Sequence, residues 1–390
     1  MDSIYFKKFL NLLNFITARI ILIFILAEKN RKQPNTVLIT RLDSTGDYIL
    51  FRNYLKSIKE SKRFNNCSLT LCGNSLWRDL AVTLDSEVVD DFIWIDRKRF
   101  YNNPFYKYQI LKDVYSRGFM TAIDATYTRE VIYSDIVIKA SKAEHKIGSK
   151  GSPDKHAAWK RIFFSNSFYD QLIDQADDNL FEFERNKEFF EKLTEEEIFI
   201  PKPFIDITSL KSGQDLPDNF VVIFPGAANE IRRWNVQNYL IISEYIIETY
   251  NIPVVFTGSS NEAWISREII KSNKSDMIID LISKTSLVQL TKIISDSRLL
   301  ISNDTVAVHI AATVDKPFLC ISNGNHFGRF IPYPENIYNK CEYLFPSEIM
   351  ENLNQPEKLK EKYRFDSTLD INDISVEQVK NKVNLMIKKY

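Results

Sequence analysis

The sequence predicts an α/β protein built from two open parallel sheets. Three observations carry that prediction. Short apolar runs, such as 36–40 (TVLIT) and 220–224 (FVVIF), alternate with helical patterns along most of the chain, as strands joined by crossover helices do. The alternation breaks at 194–204, where Glu195, Glu196 and Glu197 precede Pro201 and Pro203, the composition of an interdomain linker. Polar loops rich in chemistry follow three of the strands, at 41–47, 225–234 and 303–309. Ligands of open parallel sheets bind beyond the carboxyl ends of the strands, so these loops are expected to face a common cleft.

The chain has 390 residues, enough for two cores. Lys plus Arg and Asp plus Glu number 51 each, so net charge is zero and no global field favours nucleic acid. Four cysteines (Cys67, Cys72, Cys320, Cys341) point to a reducing, cytoplasmic compartment rather than a disulfide framework. Cys67 and Cys72 have no matching Cys or His pair nearby, and no metal site is expected.

Taken in order, 1–32 form an N-terminal apolar and basic helix. Residues 4–27 are strongly apolar but interrupted by Lys7, Lys8, Asn11, Asn14 and Arg19. A spanning helix needs roughly 20 clean apolar residues, and Arg19 near the middle would be costly there. An interfacial or partner-docking amphipathic helix with basic flanks is expected; the alternative is a helix packed on the body. A first domain over 33–205 has strands at 36–40, 68–72, 92–95 and 121–124, and helices at 47–60, 77–84, 108–116 and 131–139. Residues 166–193 carry acids and aromatics at helical spacing. A second domain over 206–345 has strands at 220–224, 253–257, 278–280, 299–302 and 318–322. Its helices are expected at 236–250, 262–271, 286–296 and 306–313. The last segment, 346–390, is polar and helical in pattern apart from Asn372 and Asp373, and is expected to pack back on the body.

The three loops hold the candidate site. In LLISNDTVAVHIAATVDKP (299–317), a buried strand runs into a helix, with Asn303 or Asp304 as the expected N-cap. Exposed amides at such a helix start make an anion site, and Thr305 and His309 share a helix face near it. The bland alternative is an ordinary turn with a core histidine. In 41–47, Arg41, Ser44, Thr45 and Gly46 lead to Asp47 at a helix start, where a carboxylate can accept a proton or merely cap the helix. Gly46 is expected to take a backbone shape closed to other residues or to admit a ligand closely. In 225–234, Gly226, Ala227 and Ala228 leave amides uncovered, and Arg232 or Arg233 can fork onto a phosphate. Trp234 stacks on a base or anchors the loop. Ser260, in the loop after 253–257, either holds a sugar or caps the next helix.

These loops, in this order, resemble glycosyltransferase family 9, the ADP-heptose:lipopolysaccharide heptosyltransferases. The resemblance runs from about Thr36 to Pro334 and rests on four motifs. VLITRLDSTGDYIL is similar to the family's opening strand and Arg-x-x-Ser-x-Gly-Asp loop. FPGAANEIRRWN is similar to its Pro-Gly-Ala loop ending Lys-x-Trp. SKTSLVQLTKIISDSRLLISNDTVAVHIAATVDKP is similar to its Lys-Thr-Ser-Leu helix followed by Asn-Asp-Ser-Gly-x-x-His-x-Ala-Ala. Gly258 with Glu262 is the weakest of the four.

The resemblance implies a GT-B fold, two Rossmann-like domains whose parallel sheets face a central cleft. It implies an inverting, metal-independent transfer without a cofactor, from a nucleoside-diphosphate sugar on the C-terminal domain to an acceptor on the N-terminal one. Carried over by position, Asp47 matches the general base and Arg232 the lysine that stabilises the departing diphosphate. Gly226, Ala227, Ala228, Arg233, Ser260, Asp304, Thr305, Val306 and His309 fall on the donor side, and Arg41, Ser44, Thr45 and Gly46 on the acceptor side. Three departures stand out: Arg232 for lysine, Val306 for glycine, and alanines without hydroxyls at 227 and 228. They leave the sugar open between heptose and another. A lipid-linked saccharide acceptor and peripheral attachment to the inner face of the cytoplasmic membrane follow. Two other readings remain, a catalytically silent nucleotide-sugar binder and a GT-B-type nucleotide-sugar epimerase.

Overall fold

The computed structural model describes residues 2–153, 155–175, 179–272 and 275–390. The chain divides into two compact units, one of residues 1–178 and 184–199, the other of 179–183 and 200–390.

The first unit is built on a six-stranded, wholly parallel sheet in the order β3-β2-β1-β4-β5-β6. Its strands are β1 (Gln33–Arg41), β2 (Ser68–Asn74), β3 (Asp91–Ile95), β4 (Phe119–Asp124), β5 (His145–Ser149) and β6 (Gln171–Ile173). The central strand is buried from Val37 to Arg41 because helices cover both faces. The second unit repeats the plan in the order β12-β11-β10-β7-β8-β9. Here the strands are β7 (Val221–Phe224), β8 (Val254–Phe256), β9 (Ile278–Asp280), β10 (Leu299–Asn303), β11 (Phe318–Ile321) and β12 (Cys341–Leu344). In each sheet the chain order reverses once in the middle, between β1 and β4 and between β7 and β10. That reversal parts the connecting loops and opens a crevice at the carboxyl edge.

Sequence and structure differ in identifiable places. β5 (HKIGS), β6 and β12 were not expected: they are three to five residues long and too polar to show a period. The expected helix at 131–139 forms as Ser134–Ser141. The stretch 166–193, read as helical, holds β6 and only then the helix Glu182–Thr194; its residues 176–178 lie outside the described residues. The helix Lys155–Phe164 is an addition.

The N-terminal helix, Asp2–Leu26, packs on the body, the alternative weighed for it. Asn14, Ala18, Ile21, Leu22 and Ile25 face the first unit's core. Lys107, buried beneath it, donates to Asn14 Oδ1 at 2.5 Å, and burial pushes that lysine down to about 8. The opposite face stays apolar and exposed. Among the described residues no helix is long and apolar enough to cross a membrane. At the other terminus, Val376–Lys389 packs on the second unit. Val379, Val383, Met386 and Ile387, spaced for one helix face, join its core.

Candidate active site

In the first unit, the loop after β1 is organised from below by Arg41. This side chain is wholly buried. Its Nε donates to Asp43 Oδ1 at 3.0 Å, its Nη1 to Asn186 Oδ1 at 3.1 Å, and its Nη2 lies 3.7 Å from Asp47 Oδ1. Asn186 in turn donates to Leu50 O at 3.2 Å. Arg41 is therefore a clamp on the loop and not an open acceptor contact. Ser44 sits at the N-cap of the helix Thr45–Phe51 and donates to Asp47 Oδ2 at 2.5 Å. Asp47 thus stands in the first turn, held by Ser44 and Arg41, with its side chain 11% exposed. Gly46 is not among the residues with positive φ, so no forbidden backbone shape explains it; Thr45 and Gly46 are half-buried beside Asp47.

The switch point of the second unit gathers more. β10 pairs with β7 through Ser302 and Phe224, which brings the loop after Phe224 beside the turn after Asn303. Asn303 is fully buried and staples the two. Its Nδ2 donates to the carbonyls of Pro225 and Gly226 at 2.7 and 3.0 Å, and its Oδ1 accepts from Trp234 N and Tyr239 Oη. The strand runs one residue further than expected, so neither Asn303 nor Asp304 caps the helix. Thr305 does, accepting from Ala307 N at 3.3 Å. The helix Val306–Thr313 therefore begins at the carboxyl edge, with the half-buried Val306 as its first residue.

Arg232 is drawn onto this turn. Its Nη2 donates to the Asp304 carbonyl at 2.7 Å and to Asp304 Oδ2 at 2.8 Å. Its Nε is buried with no partner among the described residues, so the guanidinium keeps donor capacity. Arg233 donates to Ala227 O at 3.3 Å and lies 5.3 Å from the Trp264 ring centre. Gly226 is close-packed: a Cβ there would meet the Glu262 side chain at 2.7–2.9 Å. One further expectation needs correcting. Trp234 is no stacking platform; it is fully buried, with Nε1 donating to Ile374 O at 2.9 Å. Ala228 and Ser260 are exposed, Ala227 buried. Ser259 and Glu262, not Ser260, form the capping box at that strand end.

His309 is a core residue of its helix, its Nδ1 2.8 Å from Tyr333 Oη. A second histidine went unrecognised as part of the site. His326 follows β11, which lies beside β10, and its Nδ1 is 2.9 Å from Arg364 O. Burial depresses its imidazole below the ordinary value, and Arg329 and Arg232 push the same way. Its ring also meets Phe330 edge to face, with centroids 5.8 Å apart. The signal was available: Asn323-Gly324-Asn325 directly after a buried strand marks a turn at the carboxyl edge. Among the described residues no group of three or more His, Cys, Asp or Glu side chains could hold a metal.

Comparison with known proteins agrees with this fold. A sequence model of glycosyltransferase family 9 (heptosyltransferase) matches residues 111–355. That span includes the Arg232–Asp304 turn and leaves out β1 and the Asp47 loop. Lipooligosaccharide heptosyltransferase 2 of Haemophilus ducreyi is 31% identical over 97 residues, 24% of this chain. The match spans just over a quarter of that relative's length (28%). A family 9 glycosyl transferase from Veillonella parvula superposes with a TM-score of 0.69 at 15% identity, over 92% of this chain and 98% of its own. The E. coli heptosyltransferase WaaC with ADP-2-deoxy-2-fluoro heptose gives 0.65 at 14% identity, over 90% and 99%. E. coli ADP-heptose LPS heptosyltransferase II gives 0.61 at 13%, over 91% and 99%. At such identities the likeness is one of fold.

Proposed function

This chain belongs to glycosyltransferase family 9, and from that premise we propose that it moves a sugar, with inversion and without a metal ion, from a nucleoside-diphosphate sugar to a lipid-linked saccharide of the cell envelope. The observation that carries the reading is the second unit's switch point, where Arg232 meets the start of the helix Val306–Thr313 over Asp304.

The acceptor hydroxyl oxygen attacks the anomeric carbon from the face opposite the diphosphate. A new C–O bond forms as the bond to the diphosphate oxygen breaks, and the hydroxyl proton passes to Asp47. Ser44 and Arg41 hold that carboxylate in one orientation. The charge growing on the diphosphate is met by Arg232, Arg233 and the amides of the helix start. Those cations supply what a divalent ion supplies elsewhere, which is the physical support for a metal-independent reaction. Heptose fits the family, and ADP-heptose is the donor we would try first. The acceptor half is drawn from Asp47 and from the apolar face of the N-terminal helix, which suits a lipid-linked partner at the inner face of the cytoplasmic membrane. Four free cysteines accord with a reducing compartment.

One feature favours a second reading, that of a silent binder: the Val306 side chain stands where close backbone approach would help a donor. Release of nucleoside diphosphate from ADP-, GDP- and UDP-sugars, with and without a lipid-linked acceptor and in the presence of EDTA, separates the two. Acceptor-dependent release that survives EDTA is the expected result. Binding of a nucleotide sugar without release under any condition would overturn transfer in favour of the binder.

A further inference from the structure

The N-terminal helix has two apolar faces. One is in the core. The other carries Leu12, Ile16, Ile20, Ile23 and Phe24, with Ile23 and Phe24 69% and 68% exposed. A helix packed on a core turns a polar face outward; this one turns a second apolar face outward. The stripe does not end at the helix edge. The Phe15 and Phe164 rings meet edge to face at 5.1 Å, and Arg19 Nη2 donates to Phe164 O at 2.7 Å. Phe164 closes the helix Lys155–Phe164, whose Trp159, Ile162 and Phe163 are also exposed, Phe163 by 75%. Two helices from distant parts of the chain thus share one apolar surface, larger than scattered surface residues make.

Cations surround it. Arg19 and Lys139 lie 4.7 and 5.1 Å from the Phe168 ring centre, beside the junction of the two helices. Lys142 donates to Leu26 O at 3.2 Å at the helix end, and Lys32 donates to Lys142 O. Lys146 is near enough to depress Lys139 and Lys32, after burial, the larger cause for both. Against these five cations stand Asp170, paired to Lys146, and Glu144, close to Lys32. In an isologous dimer the patch would meet itself and bring its own cations together. An anionic surface is the complementary occupant.

We propose that the outer face of the N-terminal helix and the Trp159–Phe163 face of the helix Lys155–Phe164 form one foot that seats this chain on a bilayer carrying anionic headgroups. The inference deepens the peripheral attachment proposed above and rests on that reading. The helix Lys155–Phe164 follows the carboxyl end of β5, and the loop between is tied to the loop after β4 by Ser152 N donating to Tyr127 O at 2.9 Å. The foot is therefore rooted at the carboxyl edge of the sheet that also presents Asp47. A lipid-linked acceptor would arrive at that edge.

The test is co-sedimentation of the full chain with phosphatidylcholine vesicles, with and without phosphatidylglycerol. We expect binding that requires phosphatidylglycerol and weakens with salt. Ile20→Glu with Phe24→Glu, and separately Ile162→Glu with Phe163→Glu, should each lower it by about tenfold or more, from the apolar area withdrawn. All four positions are exposed, so thermal stability and ADP affinity should hold. Wild-type binding by the Ile162/Phe163 variant overturns the shared foot and leaves the N-terminal helix alone. Equal binding to both vesicle types overturns the charge argument. Self-association abolished by the same variants, without vesicle binding, assigns the face to a second copy. Transfer to a detergent-dispersed acceptor is measured in parallel. If vesicles are not bound while transfer persists, the foot fails and the function stands; if vesicles are bound while transfer is absent, the function fails and the foot stands.

Discussion

Two arginines stand at the two switch points, and they are used in opposite ways. Arg41, ending the first unit's central strand, is wholly buried and spends its donors on Asp43, Asn186 and Asp47. Arg232, in the loop after β7, is 21% exposed, bonds only Asp304 among the described residues, and keeps a buried Nε unpaired. The same side chain is scaffold in one place and free capacity in the other. What decides is not residue type but how many of its five donors the fold has already satisfied. A wholly buried arginine tied to three side chains positions its neighbours. One with donors in reserve can answer charge that develops later.

The sharpest way to break this comparison is to remove the group that Arg41 positions. Asp47→Asn should lower turnover by about 10²- to 10⁴-fold, the usual worth of a general base, while calorimetric ADP affinity stays within about twofold. Turnover near wild type would show that the Arg41 clamp serves stability alone. Next in size is Arg41→Leu. It strands Asp43 and Asp47 over a buried apolar side chain, and breaking a buried pair costs about 3–5 kcal/mol. Hydrogen exchange should show the loss in the first unit and leave the second protected. Arg232→Ala should be smaller in stability and visible in function. We expect a fall of about 10- to 100-fold in kcat/KM for the donor, from one charge-assisted contact to the diphosphate. Unchanged donor kinetics would remove Arg232 from the site.

How much of this was legible depended on the range of the interaction. The helices Val236–Tyr250 and Val306–Thr313 were delimited to the residue, because their apolar spacing is local. β5, β6 and β12 were invisible because pairing, not composition, makes them strands. The cap at 305 was misplaced by one or two positions because β11 holds β10 extended through Asn303, and no local rule knows where a neighbour ends. Arg232 was picked out by its motif, but its bond to Asp304 spans 72 positions. The anchoring role of Trp234 depends on Ile374, 140 positions away. Motifs name the residues of a site, and long-range partners decide what each is free to do.

His326 tests that last statement at the smallest scale. It was passed over although the Asn323-Gly324-Asn325 turn beside it marks the carboxyl edge of β11, and its partner, Arg364 O, lies 38 positions away. Its folded imidazole titrates below the ordinary 6.5, chiefly through burial and secondarily through the nearby arginines. Between that lowered value and 6.5 the unfolded chain binds a proton that the folded chain does not. Stability is therefore fully present above 6.5 and declines as the pH falls through 6.5 toward the folded value. His326→Gln, which keeps a hydrogen-bonding side chain but cannot titrate, should flatten this part of the curve of Tm against pH. If that variant keeps the wild-type slope between pH 7.5 and 5.5, the protonation of His326 is not linked to folding, and the second switch point holds one fewer titrating group.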